Sequence, residues 1–165
     1  MRQSSSSRGN AQGFTLLEAL IAILIFSFGI LALMGLQATA ISDVRDAKYR
    51  ADAAFLANAI IGAMWSDDPD NNLTQYALNT AGANCAFAGG AAAPGGSQAA
   101  TNIANWQAQV GATLPGAGAN RQQITVDAAS RRVTVTLCWQ AAQDVSSGSF
   151  HSHTVSTLSK GPNAP

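Results

Sequence analysis

A run of 18 residues without a charge, Ala19 to Leu36, constrains this chain more than any other feature. It reads ALIAILIFSFGILALMGL, Ser27 is its one clearly polar side chain, and the next charge is Asp43. Crossing a hydrocarbon core of about 30 Å takes about 20 helical residues. The run is long enough to span a membrane, and too uniformly apolar for the amphipathic helix of a small soluble domain. Arg2 and Arg8 precede it, with no acidic residue before Glu18. Positive residues stay on the cytoplasmic side, which predicts an N-terminus inside and everything after Ser42 outside.

A secretory signal peptide is the competing reading. It needs a small-residue cleavage site after the run, and Ala38-x-Ala40 offers a weak one. The length of the run and the carboxylate of Glu18 at its cytoplasmic edge argue against that reading. An acidic residue at the start of a membrane helix is costly and usually functional, unless it simply snorkels to the headgroups.

Gly13-Phe14-Thr15-Leu16-Leu17-Glu18 follows a polar leader containing Arg8 and opens the apolar run. This hexapeptide resembles the class III signal of type IV pilins. The resemblance implies that a membrane-embedded aspartyl prepilin peptidase cuts between Gly13 and Phe14 and methylates the new amine of Phe14. Cutting before the apolar run leaves that run on the product as anchor and assembly surface. It also implies a partner for Glu18. In a helical array, the carboxylate of one subunit meets the Phe14 amine of its neighbour and sets the axial register, since an unpaired carboxylate in low dielectric costs several kcal/mol.

The longer segment LLEALIAILIFSFGILALMGLQ is similar to the PilV group of minor pilins, the type IV pilus modification proteins. WQAQVGATLPG (Trp106 to Gly116) and VTVTLCW (Val133 to Trp139) are similar to later segments of that group. The resemblance implies a non-catalytic minor pilin that helps to initiate or modify pilus assembly, for motility and adhesion. Its implied partners are other minor and major pilins, the prepilin peptidase as processing enzyme, and inner-membrane lipid before assembly. Its implied location is the inner membrane, single-pass, and then the extracellular pilus. No cofactor is implied. A minor pseudopilin of a type II secretion system is the alternative within the superfamily, and Gly35-Leu36-Gln37 favours the pilus.

Nine basic and nine acidic residues cancel, so the chain has no electrostatic footprint for nucleic acid. No Ser/His/Asp or Cys/His constellation and no convincing carboxylate pair is visible, which argues against an enzyme. His151 and His153 share a strand face but have no third ligand nearby, so they read as exposed residues and no metal is expected. Asp67, Asp68 and Asp70 lack the spacing of a calcium loop and read as a helix-ending turn.

The remainder predicts an α+β fold. Proline is absent from Phe14 to Asp68, and one helix is expected from about Phe14 to about Trp65. Its first half is transmembrane. Its second half is expected to lay Val44, Ala47, Ala51, Ala54, Phe55, Ile61 and Met64 on a small antiparallel sheet, with Arg45, Asp46, Lys48, Arg50 and Asp52 solvated. The expected organisation is a leader over 1–13, a membrane and assembly half over 14–42, and a globular domain over 43–165. Residues 79–100 contain 14 Ala or Gly and read as an irregular connection. A helix capped by Thr101 or Asn102 should carry Ile103, Trp106, Val110 and Leu114. The period then changes to two over Gln123–Asp127 and Val133–Leu137, with a further strand over Phe150–Leu158. An extracytoplasmic location is oxidising, which predicts a Cys85–Cys138 disulfide. The loop it closes is worth about 4 kcal/mol in the chain-entropy model.

Overall fold

The computed structural model describes residues 12–67 and 73–159. Arg2, Arg8 and residues 68–72, most of the segment expected to end the helix, lie outside them. Helix α1 covers Gln12–Ser66, close to the span expected from the missing prolines. The chain divides into two compact units, residues 1–45 and 46–165.

The first unit consists of α1 alone among its described residues. Every large apolar side chain from Leu16 to Leu36 is exposed. α1 is long and apolar enough to cross a membrane.

The second unit contains the rest of α1, strands β1 (Ala81–Ala83) and β2 (Ala86–Ala88), helix α2 (Gln98–Thr113), and strands β3 (Gln122–Asp127), β4 (Arg132–Trp139) and β5 (His151–Leu158). β3, β4 and β5 form an antiparallel sheet in that order. β-Branched residues at alternate positions build it. Val133, Val135, Leu137 and Trp139 point inward and are buried, whereas Thr134 and Thr136 face out. The inward set shares one core with Leu56, Ile60 and Met64 of α1 and Ile103, Trp106 and Val110 of α2. The arrangement is α+β, as the change of period predicts.

Four expectations need correction. The face that α1 buries is Ala53, Leu56, Ala57, Ile60, Ile61 and Met64, while Val44 and Phe55 remain 69% and 71% exposed. The expected set mixed two apolar stripes on different sides of one helix, and only the stripe bearing Leu56, Ile60 and Met64 meets the sheet. Asp46 is half-buried, not solvated, because it faces β5. Residues 79–100 are not an irregular connection: they hold the β1–β2 hairpin and the start of α2. Asn84 and Cys85 turn that hairpin at φ of 52° and 63°. The α2 cap is Ser97, whose hydroxyl accepts from the Ala100 N–H at 3.1 Å.

Candidate functional site

The candidate site is the N-terminal part of α1, and it must satisfy its own polar groups if it lies in lipid. Gly13 and Phe14 are helical in backbone. Glu18 is exposed and has no hydrogen bond or ion pair among the described residues. Ser27 donates its hydroxyl to the Ile23 carbonyl at 2.7 Å, which removes the one polar side-chain donor in the apolar run from its surroundings. Thr39 does the same toward Gly35 at 3.3 Å. A Cβ placed on Gly29, Gly35 or Gly62 would meet nothing within 4 Å, so packing inside the chain does not require these glycines.

Farther along α1, inside the second unit, a second apolar stripe stays uncovered. It runs through Ala47, Ala51, Phe55, Ala59, Gly62 and Trp65, all exposed. Ion pairs from Lys48 to Asp52 at 2.8 Å and from Arg50 to Asp46 at 3.0 Å border it. A soluble helix that packs on one side is ordinarily polar on the other. The signal was present in the sequence as two sets of apolar positions with helical spacing, and a single-face reading merged them.

Cys85 and Cys138 are joined by a disulfide. It fastens the β1–β2 hairpin to the outer face of β4, where Phe87 and Phe150 complete a small separate core. Arg121 lies over the Phe150 ring at 3.9 Å and donates to the Cys85 carbonyl, so a cation covers this cluster.

His151 and His153 point inward on β5 and are half-buried, not exposed as the sequence suggested. His151 meets Asp144 through Nε2 at 2.8 Å and faces Asp46 through Nδ1 at 3.6 Å, stacked on Trp139. Its two nitrogens therefore point to different carboxylates and do not converge with His153 on one point. A cleft of about 260 Å³ between α1 and α2 is lined by Ala59, Ile60, Ala63, Asn102, Asn105, Trp106 and Gln109. None of these seven residues is an acid, a base or a nucleophile.

Residues 8–34 match the family model of the prokaryotic N-terminal methylation motif. No curated protein and no solved structure matches the chain. The matched motif is the signal at which prepilins are cleaved and methylated, and proteins bearing it are in general structural subunits. Behind the motif stand the long apolar helix and, after it, the small antiparallel sheet, so the chain carries a prepilin-type processing signal on an α+β fold.

Proposed function

We propose that this protein is a minor pilin of the type IV pilus, of the PilV kind. It is processed between Gly13 and Phe14, methylated on Phe14, and inserted by docking α1 against the helices of other pilins. The observation that carries the reading is the methylation motif over residues 8–34 standing directly on an apolar helix. The second, uncovered stripe on α1 supports it, because Phe55 and Trp65 stay 71% and 52% exposed. Such a stripe is expected where helices of neighbouring subunits pack.

In this account the anchor and the assembly surface are the same residues. Before assembly, lipid covers Leu16 to Leu36; afterwards other helices do. Glu18 then pairs with the Phe14 amine of a neighbour. The chain itself performs no catalysis, and the prepilin peptidase acts on it.

The test is a deletion of this chain alone in its native host. The account expects few or no sheared pili, and pili restored by the wild-type copy but not by Glu18→Ala. Normal piliation together with defective type II secretion would assign the chain to the pseudopilins.

A further inference from the structure

The two edges of the β3–β4–β5 sheet are treated differently. On the β3 side, Leu78 closes the edge with two backbone bonds to Ile124, one in each direction, each 2.9 Å long. Asn79 adds to this closure by donating its side-chain amide to the Gln122 carbonyl at 2.8 Å. On the β5 side, no strand or bridge pairs with β5 except β4 among the described residues.

The register shows which groups the open edge presents. Ser159 donates its N–H to the Arg131 carbonyl at 2.8 Å, so that pair is hydrogen-bonded. Antiparallel pairs alternate. Hence Thr157, Val155, His153 and His151 bond to β4, while Leu158, Ser156, Thr154 and Ser152 do not. The close hydroxyl pairs Thr134–Ser156 at 2.7 Å and Thr136–Thr154 at 3.2 Å agree, because side chains approach most closely in non-hydrogen-bonded pairs. Four N–H and four C=O groups, at Ser152, Thr154, Ser156 and Leu158, therefore point away from the sheet.

Exposed edges normally carry a lysine, a proline, a bulge or a covering loop. β5 reads HSHTVSTL: it has no Lys, Arg, Asp, Glu, Pro or Gly, and it pairs with β4 over eight consecutive residues without a bulge. Its C-terminal end opens on a cleft of about 200 Å³ lined by Arg132, Ser156, Thr157 and Leu158, with Leu158 61% exposed.

We propose that the outer edge of β5 is a docking site for an extended, uncharged strand of a partner protein, added to the sheet through the backbone of Ser152, Thr154, Ser156 and Leu158. The main-chain ladder supplies affinity, and the hydroxyl face and the Leu158 cleft select small and β-branched side chains. β5 itself carries no Lys, Arg, Asp or Glu to pair with a charged strand, and Arg132, on β4, stands only at the wall of the cleft, so an uncharged strand fits the edge. The inference rests on strand register and does not depend on the pilin reading.

The experiment is residue-resolved amide hydrogen exchange on the full chain in detergent micelles. It is run with and without an acetylated, amidated peptide of the sequence of Val133–Leu137, the strand that β5 already accepts. Without peptide, the Ser152, Thr154, Ser156 and Leu158 amides should exchange at least about a hundredfold faster than the Val155 amide. Peptide should slow those four amides and leave the rest unchanged. Thr154→Pro removes only an outward N–H and should abolish the slowing, as should the guard charge of Thr154→Lys, with the Val155 amide still protected. Outward amides protected from the start would mean that the chain covers its own edge and would overturn the proposal. So would slowing that rises with protein concentration alone, which assigns the edge to a second copy, or no response to the peptide.

Discussion

Trp106 donates its indole N–H to the main-chain carbonyl of Leu56 across 2.8 Å, in the centre of the core. One buried side chain thus fixes how α2 meets α1, by packing and by direction together. Trp106→Phe removes the donor and part of the volume. It should destabilise the second unit by about 1–3 kcal/mol. Urea unfolding of the full chain in micelles, followed by circular dichroism, measures it.

Asn79 joins three segments. Its amide donates to the Ala119 carbonyl at 2.6 Å and the Gln122 carbonyl at 2.8 Å, and its oxygen accepts from the Gly90 N–H at 3.1 Å. It sits at φ 49°, where asparagine is tolerated better than most residues. Asn79→Ala leaves those groups unpaired in a buried place and should cost about 2–4 kcal/mol. The same unfolding experiment checks it, with Asn105→Ala, at an exposed α2 position, as a near-neutral control.

The disulfide closes a loop of sequence separation 53 between Cys85 and Cys138. Losing it should cost about 4 kcal/mol through the entropy returned to the unfolded chain. Cys85→Ser with Cys138→Ser, compared with wild type under oxidising and reducing conditions, tests this. Under reducing conditions the two proteins should unfold together.

Asp127 gives the β3–β4 turn a pH dependence. Its carboxylate accepts the Ser130 hydroxyl at 2.6 Å and the backbone N–H groups of Ser130 at 3.3 Å and Ala129 at 3.0 Å. These bonds, the Ser130 hydroxyl first, hold its pKa below the ordinary carboxylate value. A depressed folded-state pKa means that the contribution is present above the ordinary carboxylate range and fades as pH falls through the folded value. Asp127→Asn should therefore lower the melting temperature slightly at neutral pH, and the difference should vanish in strong acid.

Much of this fold was legible because its signals are local. The uncharged run, the proline-free stretch and the alternation in QITVD and VTVTL each specify one element. Two features were not legible, for different reasons. The buried face of α1 was misplaced because Phe55 and Val44 are as apolar as Ile60, and only the sheet decides which stripe is covered. The β1–β2 hairpin was missed because alanine and glycine carry no period. Its turn depends on positive φ at Asn84 and Cys85, and its position depends on a disulfide 53 residues away in sequence. Of the candidate site, the motif could be read directly, whereas the contacts of His151 with Asp46 and Asp144 depend on tertiary structure.

On the proposed reading, α1 is kept after processing and the mature chain begins at Phe14. Intact-mass and N-terminal peptide analysis of the protein from native membranes decides this. The account predicts a chain starting at Phe14 with one added methyl group on its amine, and a retained full-length precursor for Gly13→Val. A mature N-terminus near Thr39 to Ser42 would show that the apolar run is a discarded signal peptide and would contradict the account.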